Sequence, residues 1–136
     1  MKKFVLDTNI FIDWLNRGLR EEIMLGAGMV RYLSALVAME LYAGARAGST
    51  RRAIDGIVKA HRAGGRLIVP PVDQILQAGS VLRQLKLAGF EVRSASLVTD
   101  VLIALTARAI GATVLTANAK DFQAIQRIEP FALEIV

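Results

Sequence analysis

The chain has no cysteine and a single histidine in 136 residues. The first absence excludes a disulfide framework, a thiolate zinc site and a cysteine nucleophile. The second excludes paired-histidine acid–base chemistry and leaves such work to carboxylates or to metal-activated water. The lone His61 stands in the basic stretch 51–66 and is expected at the surface. No uninterrupted apolar run approaches the roughly 18–20 residues that a membrane span requires. Met1-Lys2-Lys3 before apolar residues has the outline of a signal peptide, but Asp7 and Asp13 break the apolar region. There is no Gly-x-x-x-x-Gly-Lys phosphate loop and no dinucleotide fingerprint. Internal repeats, low-complexity segments and linkers are absent too. What the chain has in plenty is apolar side chains, at 54%, with a mean hydropathy of +0.43. Its length predicts one domain, 1–136, with a substantial core. The apolar excess predicts either an extensive interior or apolar surface covered by a partner.

Residues 96–122 organise the rest. They read as a helix, a glycine stop at Gly111, a short strand over 112–116 and a polar turn, with Ser96 as the expected N-cap. The run Leu97, Val98, Val101, Leu102, Ile103, Leu105 leaves no clearly polar face, so this helix should be buried on more than one side. Asp100 is its only acid. Alone, an acid in a first helical turn is explained by the helix dipole. Two further acids raise the same question. Asp7 ends the apolar strand Phe4-Val5-Leu6, at the strand end where open α/β sheets place ligand chemistry. Glu40 sits in a helix with no other charge between Arg31 and Arg46; taken alone it would reach solvent or pair with an arginine. Three lone acids in apolar surroundings, on three separate elements, predict convergence on one site, since a buried carboxylate is costly unless paired or metal-bound.

The remaining pattern is of short apolar strands alternating with helices. Strands are expected at 2–7, 29–33, 67–69, 112–116 and 131–135. Helices are expected at 9–16 with Thr8 as a possible cap, at 19–25, from Ser34 to about residue 44, at 49–63, and at 73–87 with Asp73 as cap, then a loop over 89–95. Ile10, Phe11 and Trp14 share one face, with Trp14 a core or interface residue. Pro70-Pro71 ends the third strand, where a phosphoryl-accepting receiver domain would need an acid. Such alternation argues for an α/β fold with a parallel sheet covered on both faces, without fixing the strand order.

Four blocks of this sequence resemble a known family: Val5-Leu6-Asp7-Thr8-Asn9, then Ser34-Ala35-Leu36-Val37-Ala38-Met39-Glu40-Leu41-Tyr42-Ala43-Gly44, then Thr99-Asp100-Val101-Leu102-Ile103-Ala104, and Leu115-Thr116-Ala117-Asn118-Ala119-Lys120-Asp121-Phe122. Together, and in this order, they are similar to PIN-domain ribonucleases, and within those to the VapC-type toxins of bacterial toxin–antitoxin pairs. The resemblance spans essentially the whole chain. It implies a three-layer α/β/α PIN-like fold with a short, mostly parallel central sheet and acids gathered at one edge. It also implies endoribonuclease activity on RNA in the cytoplasm, a homodimer, and a small antitoxin covering the active-site groove.

Clustered carboxylates repel unless cations intervene. Hard oxygen ligands without His or Cys select Mg²⁺ or Mn²⁺, ions that activate water and stabilise a phosphodiester's leaving oxygen. Asp7, Glu40 and Asp100 are assigned as the acids that bind metal directly or through water. Asp121 is the fourth acid, a position that Asn118 in the same turn could take instead. Thr8, Asn9 and Thr116 are assigned as orienters of carboxylates, water or phosphate. Asn118 either joins them, its neutral amide fixing a neighbouring carboxylate, or caps the helix that follows. The chain has 17 basic and 12 acidic residues; setting the four acids aside leaves 8 acids against 17 bases, a net +9. A basic surface around an acidic hole suits a metal-dependent enzyme acting on a polyanion. Arg51 and Arg52 open a basic amphipathic helix whose exposed face is either an RNA contact or merely solvated. The alternative from another class is a PIN-like nucleic-acid-binding or assembly module that does not cleave. Nothing in the sequence separates RNA from DNA, because no 2′-OH contact is identifiable.

Overall fold

A computed structural model describes residues 1–92 and 94–136; the expected 89–95 loop includes Arg93, which lies outside them. Five strands form one sheet: β1 (Lys2–Leu6), β2 (Met29–Ser34), β3 (Leu67–Ile68), β4 (Thr113–Thr116) and β5 (Leu133–Ile135). Their order is β3-β2-β1-β4-β5, and every pairing is parallel. Parallel neighbours require crossovers, and helices supply them. These are α1 (Thr8–Arg17), α2 (Glu21–Leu25), α3 (Ala35–Gly44), α4 (Gly48–Ala63), α5 (Val72–Leu87), α6 (Ala95–Ala109) and α7 (Ala119–Ile128).

The helices fall into two packed groups. Helices α1, α3 and α4 meet in sequence, while α5, α6 and α7 pack on one another. Between them Val5, Leu6, Val114 and Leu115 are buried to the last few per cent, as expected of strands covered on both faces. Ile10, Phe11, Val37, Val101, Ile103, Phe122 and Ile125 complete the core. Phe122 meets Phe131 edge to face at 6.3 Å between ring centres. Helix α6 is buried on several sides, as its sequence predicts. Its threonines resolve their burial locally, Thr99 Oγ1 donating to the Ala95 carbonyl and Thr106 Oγ1 to that of Leu102. A carboxylate has no hydrogen to donate in that way, so Asp100 must find partners elsewhere.

Several helix starts differ from expectation. Ser34 caps α3 as predicted, its hydroxyl accepting from the Leu36 N–H at 3.2 Å. Helix α1, however, starts on Asp7, not Thr8: Asp7 keeps an extended backbone and its carboxylate accepts from the Thr8 N–H at 2.8 Å. Helix α6 starts two residues early, with Ser94 in the cap position and Ser96 already in the first turn. Helix α5 starts after Pro71, whose carbonyl accepts from Gln74 and Ile75, and this moves Asp73 from cap to first-turn acid. Gly111, at φ +69, turns the chain from α6 into β4.

Candidate functional site: a carboxylate cavity at the strand ends

Strands β1 and β4 are neighbours, with Leu6 opposite Leu115, so Asp7 and Thr116 leave the sheet side by side. The Asp7 N–H extends the ladder by one bond to the Leu115 carbonyl, at 2.9 Å. The Thr116 hydroxyl then donates to Asp7 Oδ2 at 2.7 Å, and Asn9 Nδ2 donates to the same oxygen at 3.1 Å. Asn9 closes the arrangement from the other side: its Oδ1 accepts from the Ala117 N–H at 3.2 Å. The Asp7 carboxylate is thereby fixed by groups from both strand ends.

Two more elements bring acids to the same place. Glu40, on α3, accepts from the Thr8 hydroxyl at 2.8 Å. Asp100, on α6, accepts from Asn118 Nδ2 at 3.4 Å. A cavity of about 200 Å³ is lined by Asp7, Thr8, Asn9, Ile12, Glu40, Ser96, Asp100 and Asn118. Asp121 is half-buried beside it without lining it, and is held by Asn118 Nδ2 at 3.1 Å. The structure thus brings Asp7, Glu40 and Asp100 together, with Thr8, Asn9, Thr116 and Asn118 bonded among them and Asp121 one amide away. Of the two parts expected of Asn118, the structure gives it the one beside the carboxylates. It stands at the N-cap position of α7 but makes no side-chain cap bond, and its amide nitrogen is turned to the two acids.

Asp7 and Asp100 are 4% and 3% exposed, and no lysine or arginine among the described residues pairs with either. Burial pushes the Asp7 carboxyl up, and Glu40 adds to the shift, while bonds from Thr116, Thr8 and Asn9 pull it back. Asp100 is pushed up to about 8, by burial first and then by Asp7, Asp121 and Glu40. The difference is one of donors: Asp7 receives three bonds and Asp100 one long one. As they stand, no three acids or histidines among the described residues are gathered tightly enough to enclose a metal ion. The donors still suit a hard divalent ion, since Mg²⁺ keeps several waters and needs only one or two carboxylates.

Sequence reasoning missed Ser96 as a cavity residue, taking it for a cap. The signal was its spacing, since residues four apart on a helix share a face and Asp100 is four on. Arg51 and Arg52 are exposed on the first turn of α4 but do not line the carboxylate cavity; Arg51 borders a separate hollow with Tyr42, Ala45 and Asp55. His61 is half-buried and bonds the Ile57 carbonyl of its own helix at 2.8 Å. A narrow apolar groove between α1, α3 and α4, lined by residues including Leu15, Leu41 and Ile54, runs into the cavity by sharing Ile12 and Glu40 with it.

Fold and cavity together define a class: a parallel α/β protein whose central strand ends open into a pocket of acids. The family is narrower. The PIN domain model matches residues 4–128, and the chain belongs to the PIN-domain family. Among solved structures it is similar to VapBC2 from Rickettsia felis bound to a DNA fragment from their promoter, with TM-score 0.72, 23% identity and 98% of each chain covered. It is similar to DNA-bound VapBC from Salmonella typhimurium, with TM-score 0.70, 24% identity, and 99% of this chain and 98% of that one covered. It is also similar to VapBC-5 from Mycobacterium tuberculosis, a member of the VapBC family of toxin-antitoxin systems, with TM-score 0.63, 20% identity, and 100% of this chain and 98% of that one covered. At these identities the likeness is one of fold. No curated protein gives a match.

Proposed function

We propose that this chain is a Mg²⁺- or Mn²⁺-dependent endoribonuclease, the toxin of a toxin–antitoxin pair. The observation that carries the reading is the sharing of one cavity by Asp7, Asp100 and Glu40, two of them almost sealed from water, with no basic partner among the described residues. Burial and mutual repulsion both oppose such an arrangement, and a hard divalent cation offsets both. When bound, that ion supplies Lewis acidity toward a phosphodiester and toward the attacking water. The chain's own residues do the rest. Asp7 and Asp100 hold the cation, and Glu40 reaches it directly or through water. Thr116 and Asn9 fix the Asp7 carboxylate, while Thr8 ties Glu40 to the start of α1. Asp121 contributes negative charge from behind Asn118.

RNA as substrate rests on the family resemblance and on the basic surface left outside the cavity. A small antitoxin is the proposed occupant of the apolar groove that opens beside Glu40. The same reading has the protein acting in the cytoplasm as a homodimer. Incubation of total RNA with the purified chain should show cleavage that requires Mg²⁺ or Mn²⁺ and is lost in Asp7→Asn. Cleavage by Asp7→Asn at the wild-type rate would refute the reading. Binding of RNA without cleavage in any metal would leave a non-cleaving module.

A further inference from the structure

Asn118 stands where an asparagine side chain ordinarily accepts a backbone N–H from the first helical turn, and it makes no such bond. Its backbone N–H is held by Thr116 Oγ1 at 2.9 Å. Its side-chain nitrogen reaches Asp121 Oδ2 at 3.1 Å and Asp100 Oδ2 at 3.4 Å. A single amide nitrogen has two hydrogens, and here they serve two carboxylates from different helices. The helix start gives up a cap so that these acids can be tied together.

We infer that the Asn118 amide occupies the bridging position between Asp100 and Asp121, and so limits the cavity to one cation, held by Asp7 and Asp100. The inference rests on the metal-dependent reading above. A carboxylate oxygen that accepts a hydrogen bond keeps a lone pair for a metal, whereas an N–H has none to offer. On the Asp7 side no amide bridges two acids among the described residues: the Thr8 N–H and Asn9 Nδ2 meet Asp7 and neither Glu40 nor Asp100. Asp100 Oδ1 and Glu40 Oε2 accept no bond among the described residues, and the oxygens of Asp7 keep lone pairs beyond the bonds from Thr8, Thr116 and Asn9. Between Asp100 and Asp121 the facing group is an N–H donor. A cation could enter there only by expelling the amide that neutral Asn118 supplies without charge. An aspartate at this position would reverse the situation, replacing the donor with a third hard anionic oxygen group between the two acids.

Calorimetric titration of Mn²⁺ into the metal-free chain tests this without any substrate. The wild type should bind one Mn²⁺ per chain and Asn118→Asp two. The double variant Asn118→Asp/Asp121→Asn should return to one, because the second ion needs both flanking acids. Two ions in the wild type would overturn the inference alone, and so would one ion in Asn118→Asp or two in the double variant. No Mn²⁺ bound by the wild type would refute the metal reading itself. Should Asn118→Asp fail to fold, Asn118→Ala is read in its place, because it empties the bridging position without adding charge. A second, weaker Mn²⁺ in that variant supports the inference, and a single one overturns it.

Discussion

Asp7 and Asp100 share a cavity, yet only one of them is well supplied with donors. Both hold their protons at pH values where the unfolded chain has released them, since both carboxyls are raised above the ordinary 3.8. The folded state therefore binds more protons across that window, and metal-free stability falls as pH rises. The fall begins in the ordinary carboxylate range and ends as pH passes the Asp100 value of about 8. Thermal melts in a chelator should show a higher midpoint at about pH 5 than at about pH 9. Asp100→Asn should flatten that slope, stay folded and lose cleavage. A midpoint that climbs with pH in the wild type would mean that the fold favours these acids charged, and would contradict their raised carboxyls. Thr116→Val tests the support of Asp7. It removes the shortest bond to Oδ2 while keeping the side chain's shape, and loss of such an orienting partner typically lowers metal affinity or activity by about 10–100-fold. The measurement is the Mn²⁺ concentration giving half-maximal cleavage; an unchanged value would mean that Asn9 and the Thr8 N–H suffice.

The elements differ in how plainly the sequence announces them. Helix α6 was legible because an apolar run without a polar face states its own burial, and Ser34 was legible because capping is settled within three residues. Asp7, Glu40 and Asp100 stood out as acids without local reasons to be where they are. Less legible was whatever depended on distant partners. Ser94, Ser96 and Asp73 all carry cap-forming side chains, so composition alone could not choose among starts a residue or two apart. Asn118 could be a cap or a carboxylate's partner, because the acid that meets its amide on α6 is 18 positions upstream. The strand order escaped for a related reason: strands buried on both faces are apolar throughout and carry no mark of their neighbours. Helix α4 was read correctly as amphipathic, with Ile54 buried and Arg51, Arg52, Lys59 and Arg62 exposed. If its first turn contacts RNA, replacing Arg51 and Arg52 together by alanine should weaken binding. It should also lower the slope of log affinity against log salt by roughly 1–1.5, about 0.7 per phosphate contact on a single strand. Equal slopes for variant and wild type would make this face a solvated one.

On the scale of the whole molecule, an apolar surface remains unpartnered. Val69 precedes α5, and Val72, Ile75 and Leu76 follow at helical spacing on its first turns, all exposed. This is the face expected to be covered in the proposed homodimer. Val72→Glu/Leu76→Glu should give a monomer in sedimentation analysis, with cleavage chemistry intact where the acids are undisturbed; a persisting dimer would place the seam elsewhere. The bond between Asp7 and Thr116 joins residues 109 positions apart. A chain is synthesised from its N-terminus, so β1 emerges before β4, its neighbour in the sheet, and Asp7 waits for 109 further residues. Until Thr116 has left the ribosome, Asp7 has no hydroxyl to orient it and no strand beside it on that side. A folding intermediate that lacks β4 therefore lacks an oriented Asp7 carboxylate as well.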